Sequence, residues 1–216
     1  MKETYFQLTN IRTEAEKIQT IVEKKSKRNR LENPALLVLD MQRYFLEPES
    51  HAFVPSAPAI VPGIMELVTK FQSLDLPVIF TKHINTPQNA GLMAIWWRDL
   101  ITSDNSLSKL AEPFQPLAEI EIEKSQYDGF LNTELDEILQ SNAVTDVIIT
   151  GVMTHLCCET TARSAFMYGY HVWFPIDGSA TYTLDHHIGT VRNLSHGFAN
   201  VILLEELEQM LSKRAR

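Results

Sequence analysis

The 216-residue chain is poor in cysteine: it has two, and they are adjacent, Cys157 and Cys158. Neighbouring cysteines make no disulfide framework, so a reducing, cytoplasmic setting is the expectation. The chain also lacks any apolar run approaching the roughly 20 residues of a membrane span, and no charged-then-apolar leader opens it. No membrane partner is expected. Positive charge is in deficit, with a formal net charge of −8, which argues against a nucleic-acid partner. The one basic run, Lys24 to Arg30, reads as a solvated face that the rest of the chain does not extend. Internal repeats and low-complexity linkers are absent too. What remains is the length and composition of one α/β domain with a sizeable core, over residues 34–216, preceded by an extension over 1–33. Thr13 to Lys27 has helical composition in that extension, with Ile18, Ile21 and Val22 on one side. It is expected to pack on the domain surface or on a partner subunit, and no chemistry is visible in it.

Within the domain, apolar runs alternate with helical patterns. Pro34 introduces Ala35–Leu39, a continuous apolar run of the kind found in strands covered on both faces. Residues 46 to 61 read as a loop, Gly63 to Leu74 as a helix, and Pro77 to Thr81 as a second buried strand, which together make a βαβ unit. Glu119 to Ile122 alternates like an exposed or edge strand, and Thr133 to Leu139 is helical. Val147 to Thr150, His171 to Ile176 and Asn200 to Leu204 are further strands. His186 to Leu194 and Glu205 to Leu211 complete the helices.

Several of these elements end in residues with chemistry. Asp40 terminates the first strand, where a carboxylate needs a partner or a use, or else caps a helix. His83 follows the second strand, as a pocket residue or a structural one. Lys124 follows the edge strand and leads into a Gly-bearing turn; elsewhere such a lysine is a solvated charge. Trp96 and Trp97 lie between these strands, to wall an apolar pocket or to pack in the core or an interface.

The stretch from Val147 to Tyr170 carries the sharpest signal. A short β-branched strand turns through Gly151 into a helix that Gly169 stops. Such a turn delivers the first helical residues to the carboxyl edge of a parallel sheet, where open α/β folds bind ligands. The two cysteines sit there, where unpaired N–H groups and the helix dipole favour a thiolate of depressed pKa. Successive helical residues point about 100° apart, so at most one sulfur faces a pocket. Cys158 continues the stripe Ala162, Ala165 and Phe166 and is assigned to the core. Cys157 aligns with Thr161 and Ser164 on a more polar face and is the candidate nucleophile. Spacing alone also allows both to be small buried hydrophobes.

Three motifs, DMQRYF (Asp40–Phe45), KSQYDGFLNTEL (Lys124–Leu135) and GVMTHLCCETTARSAF (Gly151–Phe166), together resemble the isochorismatase-like cysteine hydrolase superfamily, from about Ala35 to Leu207. The resemblance implies a three-layer αβα sandwich around a mostly parallel, Rossmann-like sheet, and a cis peptide between Val152 and Met153. It implies a catalytic Asp40, Lys124 and Cys157. The expected reaction is hydrolysis of a C–N bond, in an amide, carbamoyl or ureido group of a small molecule, through a thioester. Asp40 would act as base and then acid, Lys124 would stabilise charge, and the backbone N–H groups of Met153 and Cys157 would hold the oxyanion. Phe45, Trp97, Tyr127 and His155 are candidates for the pocket wall.

True isochorismatases of this superfamily, which cleave a vinyl ether, commonly carry Gly at the position of Cys157, so the thiol favours C–N cleavage. The vinyl ether reaction stays the alternative, because the THLCCETTAR phrase shares its His and second Cys with that branch. Cys157 and Cys158 followed by Glu159 resemble ureidoacrylate-type amidohydrolases. Nicotinamidases hold a metal through an Asp-x-His pair just after the second strand. Here that region has His83 and Asn85, so neither a metal nor another cofactor is expected, and nicotinamide is disfavoured as the substrate. An inactive scaffold serving as a binding or assembly module is a further alternative. A homo-oligomer is expected from Trp96, Trp97 and the N-terminal helix.

Overall fold

A computed structural model describes residues 2–22 and 28–214. Its elements in chain order are α1 (Ile11–Thr20), β1 (Pro34–Leu39), α2 (Arg43–Leu46), α3 (Ala57–Gln72), β2 (Val78–His83), α4 (Met93–Trp96), β3 (Ile120–Lys124) and α5 (Leu135–Ser141). They continue as β4 (Asp146–Val152), α6 (Glu159–Met167), β5 (His171–Pro175), β6 (Ser179–Ala180), α7 (Leu184–Gly197), β7 (Ala199–Ile202) and α8 (Leu204–Arg214). The strands form one sheet in the order β3-β2-β1-β4-β5-β7, with β6 added on β4, and every ladder is parallel.

Burial explains the order. Every residue of β1 and β4 is buried, as the continuous apolar run of β1 requires of a central strand. At the outer edge β3 buries only Ile122 and Lys124, and its outward Glu121 and Glu123 pair with Lys82 of β2 at 2.9 and 3.6 Å. Charges on an edge strand discourage pairing with another sheet. From β1 the chain moves outward through α3 to β2, and from β4 it moves the opposite way through α6 to β5. Right-handed crossovers therefore put α3 and α6 on opposite faces of the sheet. α3 packs with α8, and α6 packs with α7, giving the three-layer αβα sandwich. The strand order reverses between β1 and β4, so a crevice opens there at the carboxyl edge.

β1 and β4 run so close at that point that one position admits only glycine. Gly151 has φ +110°, and a Cβ built on it would meet the Leu39 carbonyl oxygen at 2.1 Å.

Some elements differ from their sequence expectation. The helix placed at 63–74 begins at Ala57, inside the expected loop, because Pro58 sits in the first turn, where a missing N–H is harmless. The expected helix over 13–27 runs as Ile11–Thr20, and residues 23–27 lie outside the described residues. The basic run 24–30 is described only from Arg28, whose guanidinium pairs with Asp146 at 3.2 Å and Glu32 at 3.5 Å. Phe166, assigned to the core stripe, is half exposed and packs edge-on against Phe198. The stripe ends at Ala165 as the helix runs out past the sheet. The extension is more deeply engaged than its pattern suggests: Phe6, Ala15 and Ile18 belong to the common hydrophobic core. No helix among the described residues is long and apolar enough to cross a membrane.

Candidate active site

The site is assembled from the carboxyl ends of β1, β3 and β4. Asp40, the first residue beyond β1, has φ +52°, a left-handed conformation that aspartate tolerates better than most residues. It is fully buried. The Thr81 hydroxyl of β2 donates to Asp40 Oδ1 at 2.6 Å, and Lys124 Nζ lies 2.7 Å from Oδ2. The Lys124 ammonium also donates to the Gln126 carbonyl at 3.0 Å and to Cys157 Sγ at 3.3 Å. A lysine with no exposed side-chain surface survives only because acceptors surround it.

The sulfur arrives on an irregular turn. After the Val152–Met153 bond, which is cis, Thr154–Cys158 form a single π-helical turn before α6 begins at Glu159. Cys157 and Cys158 are both buried, but in different company. Cys158 lies in the core with Ala162 and Ala165. Cys157 faces a pocket, and its polar neighbours Thr161 and Ser164 bind the turn after Lys124. Thr161 Oγ1 accepts from the Gly129 N–H at 2.9 Å, and Ser164 donates to Asp128 at 2.6 Å. The nucleophile helix and the lysine turn are thus fastened together.

Electrostatics set the resting state. Burial pushes the Asp40 carboxyl up, but the Lys124 charge and hydrogen bonds from Cys157 and Lys124 outweigh it and hold the group below the usual carboxylate range. Burial likewise opposes the Lys124 ammonium, yet the charge of Asp40 holds its pKa above the ordinary lysine value. The Cys157 thiol is pushed up to about 12, by burial first and then by the Asp40 charge, with Lys124 opposing only in part. This corrects the expected depressed pKa: a buried sulfur beside a carboxylate rests as a thiol, and one π-helical turn does not reverse that. The arrangement holds an ionised base, an ammonium and a neutral thiol in mutual contact.

The pocket above the sulfur is lined by Phe45, Trp97 and Tyr127, all anticipated, and also by Tyr44, Leu156 and Tyr182. Trp97 Nε1 donates to the Tyr127 hydroxyl at 2.8 Å, whereas Trp96 points outward and is 76% exposed. His155 does not line this pocket. The π turn rotates it away, so that Nδ1 sits 2.5 Å from Thr181 Oγ1 and the ring stacks on His186 at 4.3 Å. Leu156 takes the expected place. The sequence reading assigned no role to Gln42, although it lies within a quoted motif. Fully buried, it donates to the carbonyls of His83 and Ser108 and accepts from the His83 N–H at 2.8 Å, bracing the end of β2. Tyr44 also lies within that motif without an assigned role, and His51 and Tyr182 gave no local signal.

Asp40, His83 and Cys157 are the described residues whose ligand atoms, within 4.8 Å of one another, could converge on a metal. The Lys124 ammonium already touches two of them. Nor do His83 and Asn85 present ligands as a pair: His83 Nε2 lies 2.9 Å from Asn85 Oδ1, and Asn85 donates to the Ser125 carbonyl at 2.9 Å. Burial pushes the His83 imidazole down to about 4, so the ring is neutral.

A wholly parallel sheet with a cysteine-bearing turn at its switch point is the architecture of the isochorismatase-like hydrolases. The chain belongs to that family, matching the Isochorismatase domain over residues 34–206. It is 34% identical over 182 residues to Nicotinamidase 3 of Arabidopsis thaliana, covering 82% of this chain and 88% of that protein. Among solved structures, a cysteine hydrolase from Pseudomonas syringae pv. phaseolicola 1448A superposes with a TM-score of 0.80 at 23% identity, covering 87% of this chain and 99% of the other. N-carbamoylsarcosine amidase from Thermoplasma acidophilum gives 0.71 at 25% identity, covering 81% and 98%. The protein is an isochorismatase-like hydrolase, of a family with amidohydrolase members.

Proposed function

We propose that this hydrolase cleaves the C–N bond of a small amide, carbamoyl or ureido compound through a Cys157 thioester. The observation that carries the reading is the contact of the Lys124 ammonium with both the Asp40 carboxylate, at 2.7 Å, and the Cys157 sulfur, at 3.3 Å, of which the sulfur lines a pocket. Asp40 takes the thiol proton as the sulfur attacks the carbonyl carbon, because a thiol with a pKa near 12 needs a base in contact with it. The oxyanion that forms is held by the backbone N–H groups of Met153 and Cys157. As the C–N bond breaks, Asp40 returns the proton to the leaving nitrogen. Water, deprotonated by the same carboxylate, then hydrolyses the thioester and restores the thiol. Lys124 keeps Asp40 ionised between these steps and offsets charge on the sulfur.

Amide chemistry is supported by relatives named as a nicotinamidase and an N-carbamoylsarcosine amidase. The aromatic lining suits a small, flat acyl group. The test is a panel of nicotinamide, other small amides, ureides and isochorismate, with ammonia and pyruvate as readouts. Ammonia release that vanishes in Cys157→Ser is the expected result. Pyruvate release that survives Cys157→Ser would replace this reading with vinyl ether hydrolysis.

A further inference from the structure

The family match begins at residue 34, yet the segment before α1 reaches the working parts of the site. It makes two separate sets of contacts. Lys2 Nζ donates to the carbonyls of His51 and Phe53 at 2.6 and 2.7 Å and lies 4.4 Å from the centre of the Tyr182 ring. The Glu3 N–H donates to the Tyr182 carbonyl at 2.8 Å, and the Glu3 carboxylate accepts from the Leu184 N–H at 2.8 Å. His51 and Tyr182 are pocket walls, so this end of the segment joins two walls contributed by sequence-distant loops. Ser56 closes the brace, accepting from the N–H groups of Tyr5 and Phe6 at 3.0 and 3.2 Å.

The second set runs beneath the nucleophile turn. The Tyr5 hydroxyl accepts from the Thr181 N–H at 2.9 Å and lies 3.3 Å from His187 Nδ1. The same His187 nitrogen is 3.1 Å from Thr154 Oγ1, and Thr154 is the first residue of the π turn that carries Cys157. Thr154 also meets Ser179 Oγ at 3.1 Å. Phe6, 1% exposed, packs edge-on against His187 and fixes where Tyr5 emerges. The fully buried His187 ring, through Nδ1, is the common partner that links Tyr5 to Thr154.

We propose that residues 2–6 are a positioning strap for the reaction, with Tyr5 holding the Thr154–Cys157 turn through His187 and Lys2 holding the pocket wall at His51 and Tyr182. This rests on the catalytic reading of Cys157 given above. The two ends act on different quantities. Tyr5 sets the aim of the sulfur and the oxyanion donors, where a displacement of about 1 Å can lower turnover by on the order of a hundredfold. Lys2 reaches the wall at His51 and Tyr182, which a substrate meets on binding.

The test compares Tyr5→Phe, Lys2→Met and Lys2→Arg, all of which keep Phe6 and the buried core intact. Kinetics use the fastest amide of the panel, and iodoacetamide alkylation of Cys157, read by mass spectrometry, reports the turn without any substrate. Tyr5→Phe should lower kcat about tenfold with KM within about twofold, and should change the alkylation rate at least about threefold. Lys2→Met should raise KM about threefold with kcat unchanged, and Lys2→Arg should restore it. A lower melting temperature in Tyr5→Phe and Lys2→Met, with kcat, KM and alkylation all unchanged, would overturn the strap and leave it a structural tie. Undiminished turnover in Cys157→Ser would instead overturn the catalytic reading, an outcome independent of either strap variant.

Discussion

Two buried carboxylates sit at opposite ends of the same central strands. Asp146 starts β4 and pairs in register with Pro34, the first residue of β1, while Asp40 follows the last. Neither is exposed, and both are held below the usual carboxylate range against the opposing effect of burial. Their partners differ. Asp146 accepts from Trp173 Nε1 at 2.9 Å, the Thr145 hydroxyl at 2.7 Å, the Glu32 N–H at 3.2 Å and the Arg28 guanidinium. Both its oxygens are occupied by donors from the surrounding chain. Asp40 shares one ammonium with a sulfur that faces a pocket. Burial and a lowered pKa are therefore common to a structural carboxylate and a candidate catalytic one. The distinction lies in whether a partner can exchange a proton.

The sharpest way to break this comparison is to neutralise each carboxylate in turn. Asp40→Asn removes the base from contact with the thiol, so kcat should fall by about 10³–10⁴-fold in a steady-state ammonia assay. Asp146→Asn should leave kcat unchanged and lower stability by about 2–4 kcal/mol in urea unfolding, because Arg28 and the Trp173 indole lose a charged acceptor. Comparable kinetic losses in both variants would erase the distinction.

A smaller effect separates the two sulfurs. Cys158→Ser places a hydroxyl among Ala162 and Ala165, where the sulfur's hydrogen bond, to the Thr150 carbonyl, is long at 4.0 Å. Stability should drop by about 1–3 kcal/mol with turnover retained. The reverse pattern, lost turnover at unchanged stability, would make Cys158 the functional thiol.

The smallest expected effect has a sign that is hard to produce by accident. The Asp40 charge raises the Cys157 pKa, so its removal must lower it. Wild-type alkylation by iodoacetamide should climb steadily from pH 7 to 10 without a plateau, since the thiolate forms only as pH approaches about 12. Asp40→Asn should alkylate several-fold faster at each pH while turning over more slowly. An alkylation plateau below pH 9 in the wild type would show that the thiol is not held neutral.

The sequence made one half of this molecule readable and hid the other. Ala35–Leu39 and Val147–Thr150 announce buried strands because both faces of a central strand must be apolar. Asp40 and Lys124 stand out because charge at the end of such a strand needs compensation. Cys157 was separable from Cys158 by helical spacing, which survives the π turn at the sulfur but fails two residues earlier, at His155. The two residues of β6 are too few to carry a period. Pro58 and Pro62 concealed the first turn of α3, since proline signals a break except where a helix starts. The strap was invisible for a different reason: Lys2, Glu3 and Tyr5 form no local pattern, and the hydrogen-bond partners that place them lie about 50 or about 180 positions away. Hydrogen bonds of that range leave no periodicity to read.

The central claim is that Asp40 and Lys124 serve a covalent step at Cys157. The most direct measurement is rapid quenching during turnover of the best amide, followed by mass spectrometry of the peptide containing Cys157. The account predicts that this peptide carries the acyl group of the substrate on Cys157, that the adduct forms more slowly in Asp40→Asn, and that Cys157→Ser yields neither adduct nor ammonia. Ammonia release at the wild-type rate from Cys157→Ser, with no adduct on any peptide, would contradict it.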